Sequence, residues 1–299
     1  MAVPAPRERK CGAMIVQNHL IELDPSIRQR QLVLENATRA RMATNIVVRR
    51  GLLTIPVIVH VVYQTDEQNI SDGQIQSQIE VLNRDYRLGN ADINRVPGVW
   101  RPLATDAQLG FELADVTRTQ TNHGPFTTDE SVKFAGRGGH DVVGPDTHLN
   151  IWVCDLGDGL LGYAQFPGGP PATDGVVILH SGFGTEGTAA APFHLGRTTT
   201  HEIGHYLNLH HIFGDSPLPN CSDDDFISDT PTQLGPNFGK PNFPSISCNN
   251  GPNGDMFMNY MDYVDDDTMC MFTAQQVLRM RTALAQERPN LGRVQIAVG

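Results

Sequence analysis

TTTHEIGHYLNLHHIFGD, residues 198–215, carries four histidines and one glutamate with no lysine or arginine. His201 and His205 stand four positions apart, so on a helix both rings project from one face, close enough to share a metal ion. Neutral imidazole suits zinc, and Glu202, beside the first ring, is placed to take a proton from water at such an ion. A polar helix face with two histidines is the plainer reading of H-E-x-x-H alone. The third histidine decides between them. His211 follows His205 by six residues, a spacing that a continuing helix would rotate away from the first two rings. The chain must therefore leave the helix near Asn208 and turn back, and asparagine tolerates a left-handed stop better than any residue but glycine. Three imidazoles with one open position describe a catalytic zinc site. His210 is the adjacent rival; the six-residue interval selects His211 and leaves His210 as an exposed neighbour.

The rest of the chain is compatible with an enzyme of this kind. Its 299 residues are 39% apolar and 18% charged, which fits a globular protein with a real core. A net charge of −11 speaks against a nucleic-acid partner, because phosphates want a basic face. The longest apolar run, LLTIPVIVHVVY (Leu52 to Tyr63), is too short to span a membrane and reads as a buried strand. The start, MAVPAPRERKCG, has positive charge but no apolar core of a signal peptide.

Four stretches follow one another. Residues 1 to about 50 are rich in arginine (28, 30, 39, 41, 49 and 50) and show no long core pattern. SDGQIQSQIEVLNRDYRLGN places Ile75, Ile79, Leu82 and Tyr86 at helical spacing behind a Ser/Asp cap. Segments near Phe111–Val116, Leu149–Cys154, Gly162–Phe166 and Gly175–His180 read as further strands. After Ile212 glycine, proline, asparagine and aspartate dominate, until a helix from about Thr273 to Gln286.

HEIGHYLNLHHIFG resembles the long zinc signature of metzincin metallopeptidases, which have glycine where Asn208 stands. FMNYMDYVDDD, Phe257 to Asp267, resembles their Met-turn. With LNIWVCDLGDGLLGYAQFPGG and CSDDDFISDTP, the chain looks like a short prokaryotic member of the pappalysin family. The resemblance implies an α/β fold: a mixed twisted sheet with the active-site helix in an upper part (about 49–211), and an irregular lower part (about 212–299) with the Met-turn. It implies a zinc endopeptidase, with Glu202 as base and then acid, Met261 under the rings and Tyr263 donating to the developing oxyanion. The edge strand in GLLGYAQF, with Leu161, Gly162 and Tyr163, would pair with an extended peptide. Asp267 would sit in the pocket after the scissile bond and favour arginine, less so lysine.

RERKCGAM resembles a cysteine switch, with Cys11 as fourth zinc ligand in a latent form, residues 1–48 as pro-segment and 49–299 as the catalytic domain. Self-processing is then expected in VVRRGLL, before Arg49 or Arg50. The family also implies calcium at Asp225, the Ile227 carbonyl and Thr230, helped by Asp224 and Asp229, and a Cys221–Cys248 disulfide. Cys154 and Cys270 are left as buried thiols or as a pair. A monomer exported from its cell is expected on the same basis. Two other classes stay open, a zinc hydrolase of a non-peptide amide and a non-catalytic binding module.

Overall fold

In the computed structural model residues 6–44 and 51–294 are described, so Arg49 and Arg50 lie outside the described residues. Two helices come first, α1 (Ala13–Leu23) and α2 (Ser26–Thr44). Asp24 starts α2: its side chain accepts from the Ser26 amide, and Pro25 follows it with a helix-compatible φ. The expectation of a segment without a core pattern is corrected here. Val16, Leu20, Ile27 and Leu34 are buried in a stripe too narrow to stand out among the charges.

β1 (Leu53–Tyr63) is the β-branched run, α3 (Asp72–Asp85) is capped by Ser71, and β2 (Leu109–Gln120), β3 (Leu149–Cys154), β4 (Gly162–Ala164) and β5 (Val176–Leu179) complete the main sheet. The strand order is β2-β1-β3-β5-β4, parallel except for β4 at the edge. After α4 (Arg197–Tyr206) come two short strands, β6 (Phe238–Gly239) and β7 (Tyr263–Val264), then α5 (Ala274–Gln286) and β8 (Arg293–Val294). Pro56 is tolerated in the middle of β1 because of this order. β8 pairs with Leu53 and Thr54 and the pairing with β3 begins at Val57, so the proline falls in the gap between them.

Side chains alternate across the sheet into two cores. Val59, Val61, Ile151, Val153 and Ile178 join α3, α4 and the lower part on one face. Val62, Trp152, Cys154, Val177 and Leu179 face Val16, Leu20 and Ile27 of the N-terminal helices on the other. The lower part, from Ile212 on, has little regular structure; the Cys221–Cys248 disulfide closes one of its loops, while Cys154 and Cys270 are buried free thiols.

Candidate active site

α4 ends where the sequence requires. Asn208 has φ 74°, its amide donates to the His205 carbonyl at 2.8 Å, and the Leu209 amide donates to Gly204 at 2.9 Å. These two bonds form a left-handed stop of the Schellman type. The turn brings His211 back, so the Nε2 atom of His205 lies 3.2 Å from that of His201 and 3.1 Å from that of His211. The Nδ1 atoms point away: His201 to the Tyr260 carbonyl and His205 to the Leu209 carbonyl, both at 2.8 Å, and His211 to Asp215 at 3.0 Å. A carbonyl can only accept, so His201 and His205 carry their proton on Nδ1 and turn bare Nε2 lone pairs inward. Burial and mutual repulsion hold both rings well below the usual histidine pKa, hence neutral. Three lone pairs converging in a buried place repel one another unless a cation sits among them. The residues fit a zinc ion on this ground.

Cys11 completes the set, its Sγ and the three ring nitrogens all lying within 4.8 Å of one another. The same Sγ is 3.3 Å from Glu202 Oε2. Burial pushes the Glu202 carboxyl up to about 8. Gly162 of β4 leaves the room for it: a Cβ there would meet Glu202 Cγ at 2.9 Å and the Val177 carbonyl at 2.8 Å. The N-terminal segment runs along the outer edge of β4 in parallel, with Leu161 N donating to Lys10 O at 3.0 Å and Gly12 N to Gly162 O at 2.9 Å. Leu161 and Gly162 thus meet an extended chain through their backbones. Tyr163 does not offer its side chain there; its ring packs in the second core beneath Lys133.

Two residues before Cys11, Arg9 is buried. Its Nη2 binds Asp266 at 2.6 Å, Nη1 donates to Thr198 Oγ1 at 3.0 Å, and the guanidinium lies over Phe193. Asp266 is itself fully buried and accepts the Leu195 amide ahead of α4. Asp267, the aspartate singled out from the sequence, instead points to the rim, where its carboxylate pairs with Lys240. Asp266 and Asp267 stand in a turn that the Thr268 amide closes onto the Asp265 carbonyl at 2.9 Å, so neighbouring side chains leave it in different directions and a one-residue shift moves the carboxylate out of the pocket.

Met261 lies under the site and explains Gly204: a Cβ at Gly204 would meet the Met261 sulfur at 2.4 Å. Tyr263 brings its ring to 5.0 Å from that of His211 and 5.8 Å from that of His201. His210 is partly buried rather than exposed, and its Nδ1 meets the second oxygen of Asp215. Asp215, four residues after His211, was within the decisive stretch, yet nothing in its spacing marked it as the anchor of a ligand. Arg9 had a signal: an arginine in the RERKCGAM segment, two residues before Cys11. In the lower part Thr230 Oγ1 lies 2.8 Å from Asp225 and 3.0 Å from the Ile227 carbonyl. Asp224 caps the Phe226 amide, and Asp229 accepts from Thr273 Oγ1 and the Gln275 amide at the start of α5, so these two act as local caps.

The peptidase M43 family model, pregnancy-associated plasma protein-A, matches residues 141–285. An extracellular metalloprotease of Arthroderma benhamiae is 30% identical over 291 residues, 94% of this chain and 85% of its own. The chain belongs to the pappalysin family of metallopeptidases. Another extracellular metalloprotease, from Pyricularia oryzae, is 30% identical over 96% of this pappalysin and 92% of its own length. Among solved structures a mutant of Tannerella forsythia promirolysin is 43% identical with a TM-score of 0.86, covering 94% of this chain and 95% of that one. Mature mirolysin with a cleaved peptide is 46% identical with a TM-score of 0.77, covering 80% of this chain and 96% of that one. This pappalysin is a zinc metalloprotease, and His201, His205 and His211 have the donor chemistry that its metal requires.

Proposed function

We propose that the protein is made as a latent endopeptidase that cleaves peptide bonds before arginine, less readily before lysine, with residues 1 to about 48 as its pro-segment. The observation that carries this is Arg9. A buried guanidinium fills the Asp266 pocket while Cys11, two residues on, takes the place beside the three imidazoles. Asp266 rather than Asp267 is therefore the carboxylate proposed to select the substrate, holding a guanidinium in a low-dielectric pocket. The mature mirolysin likeness covers 80% of this chain and the pro-form 94%, which supports a removable N-terminal segment. Its removal is proposed to occur by self-cleavage before Arg49 or Arg50.

Bound zinc supplies a Lewis acid that polarises the peptide carbonyl and acidifies water. The chain does the rest. β4 aligns the substrate through the Leu161 and Gly162 backbones. Glu202, next to His201 on α4, takes a proton from water and returns it to the leaving amine. Tyr263 offers a hydroxyl to the developing oxyanion. Export is proposed from the naming of the relatives as extracellular, and a calcium ion from the oxygen cluster of Asp225, Ile227 and Thr230.

The test is incubation of full-length protein with arginine-containing peptides, with and without a zinc chelator, and location of the cuts by mass spectrometry. Cleavage before arginine that the chelator abolishes is expected, and Glu202→Ala should stay full-length. Asp266→Asn should lower kcat/KM for arginine peptides at least about 30-fold, and Asp267→Asn should change it little. Chelator-resistant cutting, or equal losses in the two aspartate variants, would overturn the reading.

A further inference from the structure

α5 sends one arginine to the metal site from behind. Arg279 is 1% exposed, and its Nε donates to the Asn208 carbonyl at 2.6 Å. Asn208 is the left-handed residue at which the chain turns between His205 and His211. Both ligands depend on that turn. The Leu209 carbonyl holds His205 Nδ1, and His211 follows two residues later. Among the hydrogen bonds of the described residues, Arg279 is the donor that reaches the Asn208 carbonyl.

The guanidinium has a second partner. Its Nη1 lies 2.7 Å from Glu35 Oε2 on α2, in the N-terminal segment, with the two side chains 1% and 16% exposed. Burial raises the Glu35 pKa, but Arg279 and, on its other oxygen, Arg39 at 3.0 Å together outweigh it and hold the group below the usual carboxylate range. A planar fork can engage a carbonyl and a carboxylate at once, which an ammonium on a flexible stem does poorly. When Glu35 leaves, a buried cation loses its anionic partner.

We propose that Arg279 is a positioning residue for the metal ligands, fixing the Asn208 turn through its carbonyl, and that Glu35 is a second hold of the N-terminal segment on the site, separate from Cys11. This rests on His201, His205 and His211 being the zinc ligands. The segment is then held at two places, over the metal by Cys11 and behind it by Glu35.

Full-length Arg279→Met, Arg279→Lys, Glu35→Gln and Val277→Ala are compared with wild type for zinc retention against a competing chelator, for the visible spectrum of the Co2+-substituted protein, and for the rate of conversion to the shorter form. Arg279→Met should bind zinc about 10- to 100-fold more weakly and shift the cobalt bands, with unchanged far-UV circular dichroism and partial recovery in Arg279→Lys. Glu35→Gln should keep the wild-type cobalt spectrum and convert faster. Val277→Ala loosens the same helix without touching Asn208 and should retain zinc. Wild-type zinc retention and cobalt spectrum in Arg279→Met, or equal zinc loss in Val277→Ala, overturn the positioning role. An unchanged conversion rate in Glu35→Gln overturns the second hold, even where Arg279→Met fails to fold. Wild-type protein that takes up no zinc defeats the underlying site reading instead.

Discussion

At the scale of single residues, the site is built from side chains whose second partner matters as much as the first. Each metal-facing imidazole is oriented by what its Nδ1 donates to, and for His211 that partner is Asp215. Such outer partners fix the tautomer and raise ligand basicity. Asp215→Ala should weaken zinc binding about 10- to 100-fold in a chelator competition while leaving the fold intact; affinity within about twofold of wild type would show that the carboxylate does not set the ring. Gly204 illustrates the opposite constraint, a residue chosen for what it lacks. With the Met261 sulfur 2.4 Å from where a Cβ would be, Gly204→Ala must push the Met-turn or α4 aside.

At the scale of elements, the stop of α4 decides whether H-E-x-x-H becomes a three-ligand site. Asn208 adopts φ 74°, a conformation that costs an ordinary L-residue roughly 1–2 kcal/mol and a β-branched one more. Asn208→Gly should therefore retain both stability and zinc. Asn208→Val should lose at least about 1 kcal/mol and bind zinc more weakly, as read from denaturant midpoints and chelator titration. Equal behaviour of the two variants would mean that the turn is imposed from outside the residue. α5 is secured differently: Thr273 and Gln276 form a capping box, and Asp229 of the acidic loop adds acceptors. That loop was expected to serve calcium through Asp225, Ile227 and Thr230; the structure links the three by hydrogen bonds from the Thr230 hydroxyl.

At the scale of the whole molecule, the central sheet holds a buried titratable group away from the site. His60 in β1 accepts from Thr117 Oγ1 at Nδ1 and donates to Asn150 Oδ1 from Nε2, both at 2.8 Å, and its ring stacks on His140 and tilts against Trp152. Burial lowers its pKa to about 4; Asn150 raises it, His140 lowers it and Asp115 raises it. The unfolded chain thus takes the proton first as pH falls, so stability is lost between pH 6.5 and about 4, by at most about 3 kcal/mol from this group. His60→Gln, though weaker at neutral pH, should show a shallower loss over that window in denaturant midpoints. A parallel decline in both proteins would assign the acid sensitivity elsewhere.

What the sequence determined by itself was local and chemical. The histidine spacing, the asparagine at the turn and the cap before α3 act over a few residues, so their order along the chain already contains their geometry. Strands β3 and β5 and helix α5 were legible for the same reason, as runs of apolar residues between turn formers. The tertiary structure alone decided which carboxylate faces Arg9, because Asp266 and Asp267 are neighbours in one turn and only the packing of that turn against the N-terminal segment sets which of them points inward. It alone decided that Val16, Leu20 and Ile27 are core, since their partners Trp152 and Leu179 lie more than a hundred residues away. It alone brought Arg279 to Asn208 and Glu35. Contacts between distant segments depend on how the two faces of the sheet are covered, and no local pattern of residues records that.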